Sequence, residues 1–87
     1  MSAHPSHPDV IKRLKRAEGH LRSIVAMLEQ GRDCLEIAQQ MQAVESAVAN
    51  AKRTLVHDHI DHCLEHAVEG ASPRDAIREF KAIAKYL

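Results

Sequence analysis

The segment between Asp33 and Gly70 contains no glycine or proline, which strongly limits how a chain of 87 residues can fold. Apolar side chains recur along it every three or four residues, as they do on one side of an α-helix. One stripe consists of Cys34, Ile37, Met41, Val44, Val48, Ala51, Leu55 and His59. A second stripe consists of Leu35, Ala38, Ala49, Val56, Ile60, Leu64 and Ala67. The segment therefore predicts one long helix, capped by Asp33, that packs against two partners.

Two shorter helices are predicted on either side of the long one. The first runs from about Asp9 to Gln30, with Gly31 at its end. Its apolar side consists of Ile11, Leu14, Ala17, Leu21, Ile24 and Leu28. The third opens with the segment SPRD, in which Ser72 is the expected N-cap and Pro73 the first helical residue. The prediction is an all-α, three-helix domain over residues 9–87, preceded by a flexible histidine-containing tail, residues 1–8.

The composition indicates a small domain that gains part of its core by oligomerising. A chain of 87 residues with only one tyrosine and one phenylalanine has little large apolar surface to bury within itself. Neither a signal peptide nor a membrane span is visible, so we expect a cytoplasmic protein in which both cysteines are thiols. The formal net charge is zero, but residues 1–32 carry six Lys/Arg and three Asp/Glu. This excess indicates a localised anion-binding surface.

The segment VHDHIDHCLEH, residues 56–66, contains the candidate metal ligands. His59 and Cys63 are four residues apart, so they lie on one face of a helix and can bind one ion. Cys34 precedes His59 by 25 residues, which corresponds to about 37 Å along a helix rising about 1.5 Å per residue. One chain cannot place both around one ion. Two antiparallel copies of the helix, crossing near Val48, would bring Cys34 of one chain beside the other chain's histidine.

The spacing of Cys34, His59 and Cys63 on a three-helix chain of this length resembles the CsoR/RcnR/FrmR family of bacterial metal- and aldehyde-responsive repressors. The segments KRLKRAEGHLRSIVAMLEQGRDC and QQMQAVESAVANAKRTL are similar to its first and second helices. The resemblance covers residues 9–87. It implies an antiparallel helix-bundle dimer that pairs into a disc-shaped tetramer. It also implies binding to operator double-stranded DNA without inducer and release when the inducer binds.

The resemblance also implies roles for individual residues. Cys34, His59 and Cys63 match the ligands of the family's copper sensors, and Glu79 matches a glutamate beside that site. We expect His62 and His66 to lie next to the ligands without binding the ion. Arg13 matches an arginine that contacts DNA, whereas a second such position holds Asn50 here. The predicted DNA-binding residues are Lys12, Arg13, Arg16, Lys52 and Arg53.

The ligand set favours Cu(I), because two thiolates and one imidazole suit a soft ion. Ni(II) or Co(II) is the alternative, with His4 or His7 of the tail as an added ligand. Asp33 stands where the family often has a tyrosine before the first cysteine, which departs from the copper sensors.

Two rival functions remain open at the level of sequence. One is a thiol-based sensor of formaldehyde or persulfide, acting through Cys34 and Cys63. The other is a metal-buffering protein that does not bind DNA. An enzyme is not expected, since no acid–base or nucleophile constellation accompanies the ligand set.

Overall fold

The computed structural model of the chain describes residues 5–68 and 73–87. For residues 66–68 it describes the backbone and not the side chains. It contains three helices, α1 (His7–Glu29), α2 (Cys34–Val68) and α3 (Pro73–Ala84), and no strand in these ranges. The all-α, three-helix prediction is confirmed. α2 is uninterrupted over 35 residues, as the absence of glycine and proline predicted.

α1 begins at His7, two residues before the predicted start, so His7 and Pro8 of the predicted tail are helical. Pro8 is tolerated in the first turn because backbone N–H groups there have no partner within the helix. Residues 1–4, with the candidate ligand His4, lie outside the described residues, as does the predicted N-cap Ser72.

A sharp turn joins α1 to α2. Gly31 has a φ of 69° and donates its N–H to the carbonyl of Leu28, while Arg32 donates to the carbonyl of Met27. This pair of hydrogen bonds ends a helix at a residue in the left-handed region, where glycine is favoured. Asp33 then accepts the N–H of Glu36 through its carboxylate, at 3.3 Å, and so caps α2 as predicted.

α2 is the central element, with α1 against one side and α3 against another, and the described parts of α1 and α3 do not contact each other. The α1–α2 core repeats every seven residues. Its members are Val10, Ala17 and Ile24 from α1 and Ile37, Val44 and Ala51 from α2. Because α1 and α2 run antiparallel, the start of α1 lies beside the far part of α2, where Ser6 hydrogen-bonds to Asp58.

The protein is long and thin. Its extents are 58 × 23 × 13 Å, and its radius of gyration of 17.8 Å exceeds the ~12 Å expected for a compact chain of this length. Many large apolar side chains remain exposed as a result. An apolar face of the α1–α2 hairpin consists of Ile11, Leu14, Leu21, Val25, Leu28, Met41, Val48 and Leu55. Contiguous apolar surfaces of this kind are typical of places where proteins associate.

None of the described helices combines enough length with enough apolar character to cross a bilayer.

Candidate metal centre

α2 and α3 bring three potential ligands together. His59 and Cys63 lie one turn apart on α2, and Glu79 reaches them from α3. Their ligand atoms all lie within 4.8 Å of one another, and no second group of this kind occurs in the described part of the chain. The arrangement follows from helix geometry for the first two residues and from the packing of α3 for the third.

Cys63 is the buried member of this group, with 3% of its surface exposed. Its Sγ donates a hydrogen bond to Oε2 of Glu79, at 3.4 Å. The pKa of the Cys63 thiol is raised above its usual value, first by burial, then by this hydrogen bond and the negative charge of Glu79. The thiol therefore keeps its proton in the metal-free protein. Because metal ions bind the thiolate, an ion at Cys63 would have to displace that proton and with it the hydrogen bond to Glu79.

Cys34 is exposed and is the first residue of α2. His59 follows 25 residues later on the same continuous helix, about 37 Å away at a rise of about 1.5 Å per residue. The structure of one chain thus does not bring Cys34 to His59 and Cys63.

The remaining predicted site residues occupy several positions. His62 is half-buried on α2, one turn from Asp58, whereas the side chain of His66 lies outside the described set. His7, in the first turn of α1, lines a cavity with Val10, Ile11 and Leu55. Sequence reasoning overlooked Ser6 and Asp58. The Ser6 hydroxyl donates to the Asp58 carboxylate at 2.5 Å and so joins the start of α1 to α2.

Arg13 and Arg16 share a cavity between α1 and α2, which we call the basic pocket. It has a volume of about 230 Å³ and is lined by Arg13, Arg16, Ala17, His20, Ala47 and Asn50. The predicted residue Arg53 is linked to this pocket, because its Nη1 donates to Oδ1 of Asn50 at 2.7 Å. Lys12 and Lys52 are exposed and do not line it. The spacing of Arg13, Arg16 and His20 at three and four residues was the available signal for including His20.

The chain is similar to known metal-responsive transcriptional repressors. A family model described as metal-sensitive transcriptional repressor matches residues 6–86. The copper-sensing repressor CsoR of Bacillus subtilis is 37% identical over 76 residues, which are 87% of this chain and 75% of that protein. CsoR of Mycobacterium ulcerans is 36% identical over 76 residues, and this chain spans 65% of its length.

A solved structure gives a second kind of comparison. The nickel-responsive transcriptional regulator InrS superposes with a TM-score of 0.86 at 27% identity, covering 100% of this chain and 99% of that one. The matches confirm the family resemblance and the fold, and they include both copper- and nickel-responsive proteins.

Proposed function

Because the chain belongs to the family of metal-sensitive transcriptional repressors, we propose that it binds operator DNA when metal-free and releases it on binding Cu(I). The ion would be held by Cys63 and His59 of one subunit and by Cys34 of the partner subunit. The observation that carries this proposal is the group of His59, Cys63 and Glu79, placed at the far end of an unbroken helix from Cys34.

An antiparallel dimer would complete the site. The midpoint between Cys34 and the His59–Cys63 pair falls close to Val48, so a two-fold axis there would create two equivalent sites. Val48 is 42% exposed and belongs to the apolar face, which is the surface such a dimer would bury. A symmetric interface of this kind presents the same patch from both subunits. Pairing of two dimers would then give the tetramer.

The first prediction concerns this assembly. Leu21 lies within the apolar face with 49% of its surface exposed. Burying one leucine contributes about 1.5–3 kcal/mol, and a symmetric dimer buries two copies. Leu21→Glu should therefore shift a wild-type dimer or tetramer towards monomer at micromolar concentration, measured by sedimentation velocity.

Lys15→Glu is the matched control, because it places the same side chain on α1 at an exposed position outside the apolar face. This variant should sediment like the wild type. A wild-type protein that stays monomeric and still binds metal through both cysteines would contradict the dimeric site.

Cu(I) is the proposed inducer for two reasons. Two thiols and one imidazole form a soft donor set, and Cys63 is buried beside the apolar side chains of Ala76, Ile77 and Phe80. The similarity to copper-sensing repressors supports the same choice. When bound, the ion supplies a strong bond to two thiolates. The chain's own contribution is to release the Cys63 proton and free Glu79 from its hydrogen bond.

Nickel is a second candidate, favoured by the likeness to the nickel-responsive regulator InrS. A histidine of the tail, His4 or His7, would supply a fourth ligand, although in the structure of one chain His7 lines a cavity with Val10, Ile11 and Leu55 and is not part of the group of His59, Cys63 and Glu79. Four ligands that include two nitrogens would suit Ni(II) better than Cu(I).

The second prediction tests function and inducer together. A duplex selected from a random-sequence library by the apo protein should be released on addition of Cu(I), measured by fluorescence anisotropy. The double variant His4→Ala, His7→Ala should leave the Cu(I) affinity within about tenfold, since neither histidine belongs to the three-ligand set.

Other outcomes of this titration would support one of the alternative functions. Release by Ni(II) alone, with loss of that response in the double histidine variant, would establish a nickel sensor. Release by formaldehyde or an oxidant without metal would establish a thiol sensor. Metal binding without any selected duplex would leave only metal buffering.

A further inference from the structure

The basic pocket contains one titratable side chain that the proposed function has not used. His20 lies on α1, one turn beyond Arg16, and lines the pocket together with Arg13, Arg16 and Asn50. The described lining includes two guanidinium groups and no carboxylate. A volume of about 230 Å³ is small for an organic ligand but ample for a phosphate group. The pocket thus has the charge and the size to take a backbone phosphate of DNA.

Gln40 determines how the His20 ring can interact. His20 Nε2 lies 2.5 Å from Oε1 of Gln40, across the α1–α2 interface. An amide oxygen only accepts hydrogen bonds, so with the Gln40 amide in this orientation the hydrogen of the bond lies on Nε2. In the neutral ring, Nδ1 is then an acceptor and would repel a phosphate oxygen. In the protonated ring, Nδ1 also carries a hydrogen and becomes a donor towards the phosphate.

We propose that His20 is a proton-linked phosphate contact, which takes up a proton from solvent when DNA enters the basic pocket. The inference rests on the proposed binding to operator DNA and adds a regulation to it. Operator affinity should rise as the pH falls, since histidine changes charge between about pH 5 and 8. The sign follows from linkage, because the complex binds more protons than the free protein.

The other charges around His20 agree with this sign. On its own helix, Arg13 and Arg16 are cationic. Nε of Arg13 donates a hydrogen bond to Oδ2 of Asp9, at 2.7 Å. From α2, Gln40 contacts His20, and Ala47 and Asn50 line the pocket; these three carry no charge, while Asn50 accepts a hydrogen bond from the cationic Arg53. α3 does not contact the described part of α1. An entering phosphate would therefore be the anion that favours the charged ring.

The test compares four proteins on the selected duplex at one salt concentration, at about pH 6 and about pH 8. From pH 8 to pH 6, the wild type should gain about fivefold more in affinity than His20→Gln, which cannot be protonated in this range. His20→Lys carries a fixed charge, so it should bind at pH 8 about as tightly as the wild type at pH 6. His57→Gln removes an exposed histidine of α2 that does not line the pocket and should keep the wild-type profile.

Circular dichroism melts establish that each variant is folded. If His20→Gln does not fold, the pH dependence of binding by His20→Lys supplies the test. A pH dependence in His20→Gln or His20→Lys equal to that of the wild type would overturn the inference while leaving operator binding intact. Failure of the wild type to bind any selected duplex at either pH would overturn the proposed function and this inference with it.

Discussion

A dimer assembled from one Cys34→Ser chain and one Cys63→Ser chain is expected to bind a single Cu(I) ion with near wild-type affinity. Each variant alone should lose at least about a hundredfold in affinity for Cu(I). Removing a residue that only hydrogen-bonds to a metal ligand usually costs less than this. Cys34 and Cys63 lie at opposite ends of α2, so the proposed site takes one from each subunit. In the mixed dimer one site regains both thiols, and the other loses both.

A matched control exists with the same number of cysteines. A dimer of one wild-type chain and one chain carrying both Cys34→Ser and Cys63→Ser has two cysteines but no complete site. It should bind no better than the single variants, measured by competition with a Cu(I) chelator. Tight binding by this control and weak binding by the first mixed dimer would mean that each site forms within one chain.

The double variant Arg13→Ala, Arg16→Ala is expected to lose about a hundredfold in affinity for the selected duplex at moderate salt. Both side chains line the basic pocket, and in each subunit each of them would contact a phosphate of the DNA. Each lost phosphate contact lowers the slope of log K against log salt by about one, so the slope should flatten as well. Metal affinity should hardly change, because these residues are remote from Cys63. Titrations at several salt concentrations measure both quantities.

Arg22→Ala is the control for this loss, because it removes an arginine of α1 that is 77% exposed and paired only with Glu18, at 3.6 Å. Arg22 does not line the basic pocket and should have a small effect. If the double variant keeps both the affinity and the salt slope of the wild type, the pocket does not take part in DNA binding.

The secondary structure and part of the candidate site could be predicted from the amino-acid sequence. The helical periodicity predicted three helices, and the turn at Gly31 and the cap at Asp33 formed where local chemistry favours them. His59 and Cys63 were predictable neighbours, since a spacing of four residues is one helical turn. The separation of Cys34 followed equally from the length of α2. These features depend on residues close in sequence, which is why a single sequence contains them.

The rotation and the offset of the helices against one another could not be predicted from the sequence and are visible only in the folded chain. Periodicity predicted an apolar side of α1, but the residues buried there are Val10, Ala17 and Ile24, while Leu14 and Leu21 remain exposed. An apolar stripe wider than one interface does not specify which part faces which partner.

The long-range contacts depend on that rotation and offset. The Cys63–Glu79, His20–Gln40 and Ser6–Asp58 contacts join residues 16, 20 and 52 positions apart. Each forms because small residues such as Ala17 and Ala51 let α1 and α2 approach at one register, or because α3 packs over Cys63. Side chains of different helices meet only when packing has set both the rotation and the offset of those helices, and local periodicity constrains neither.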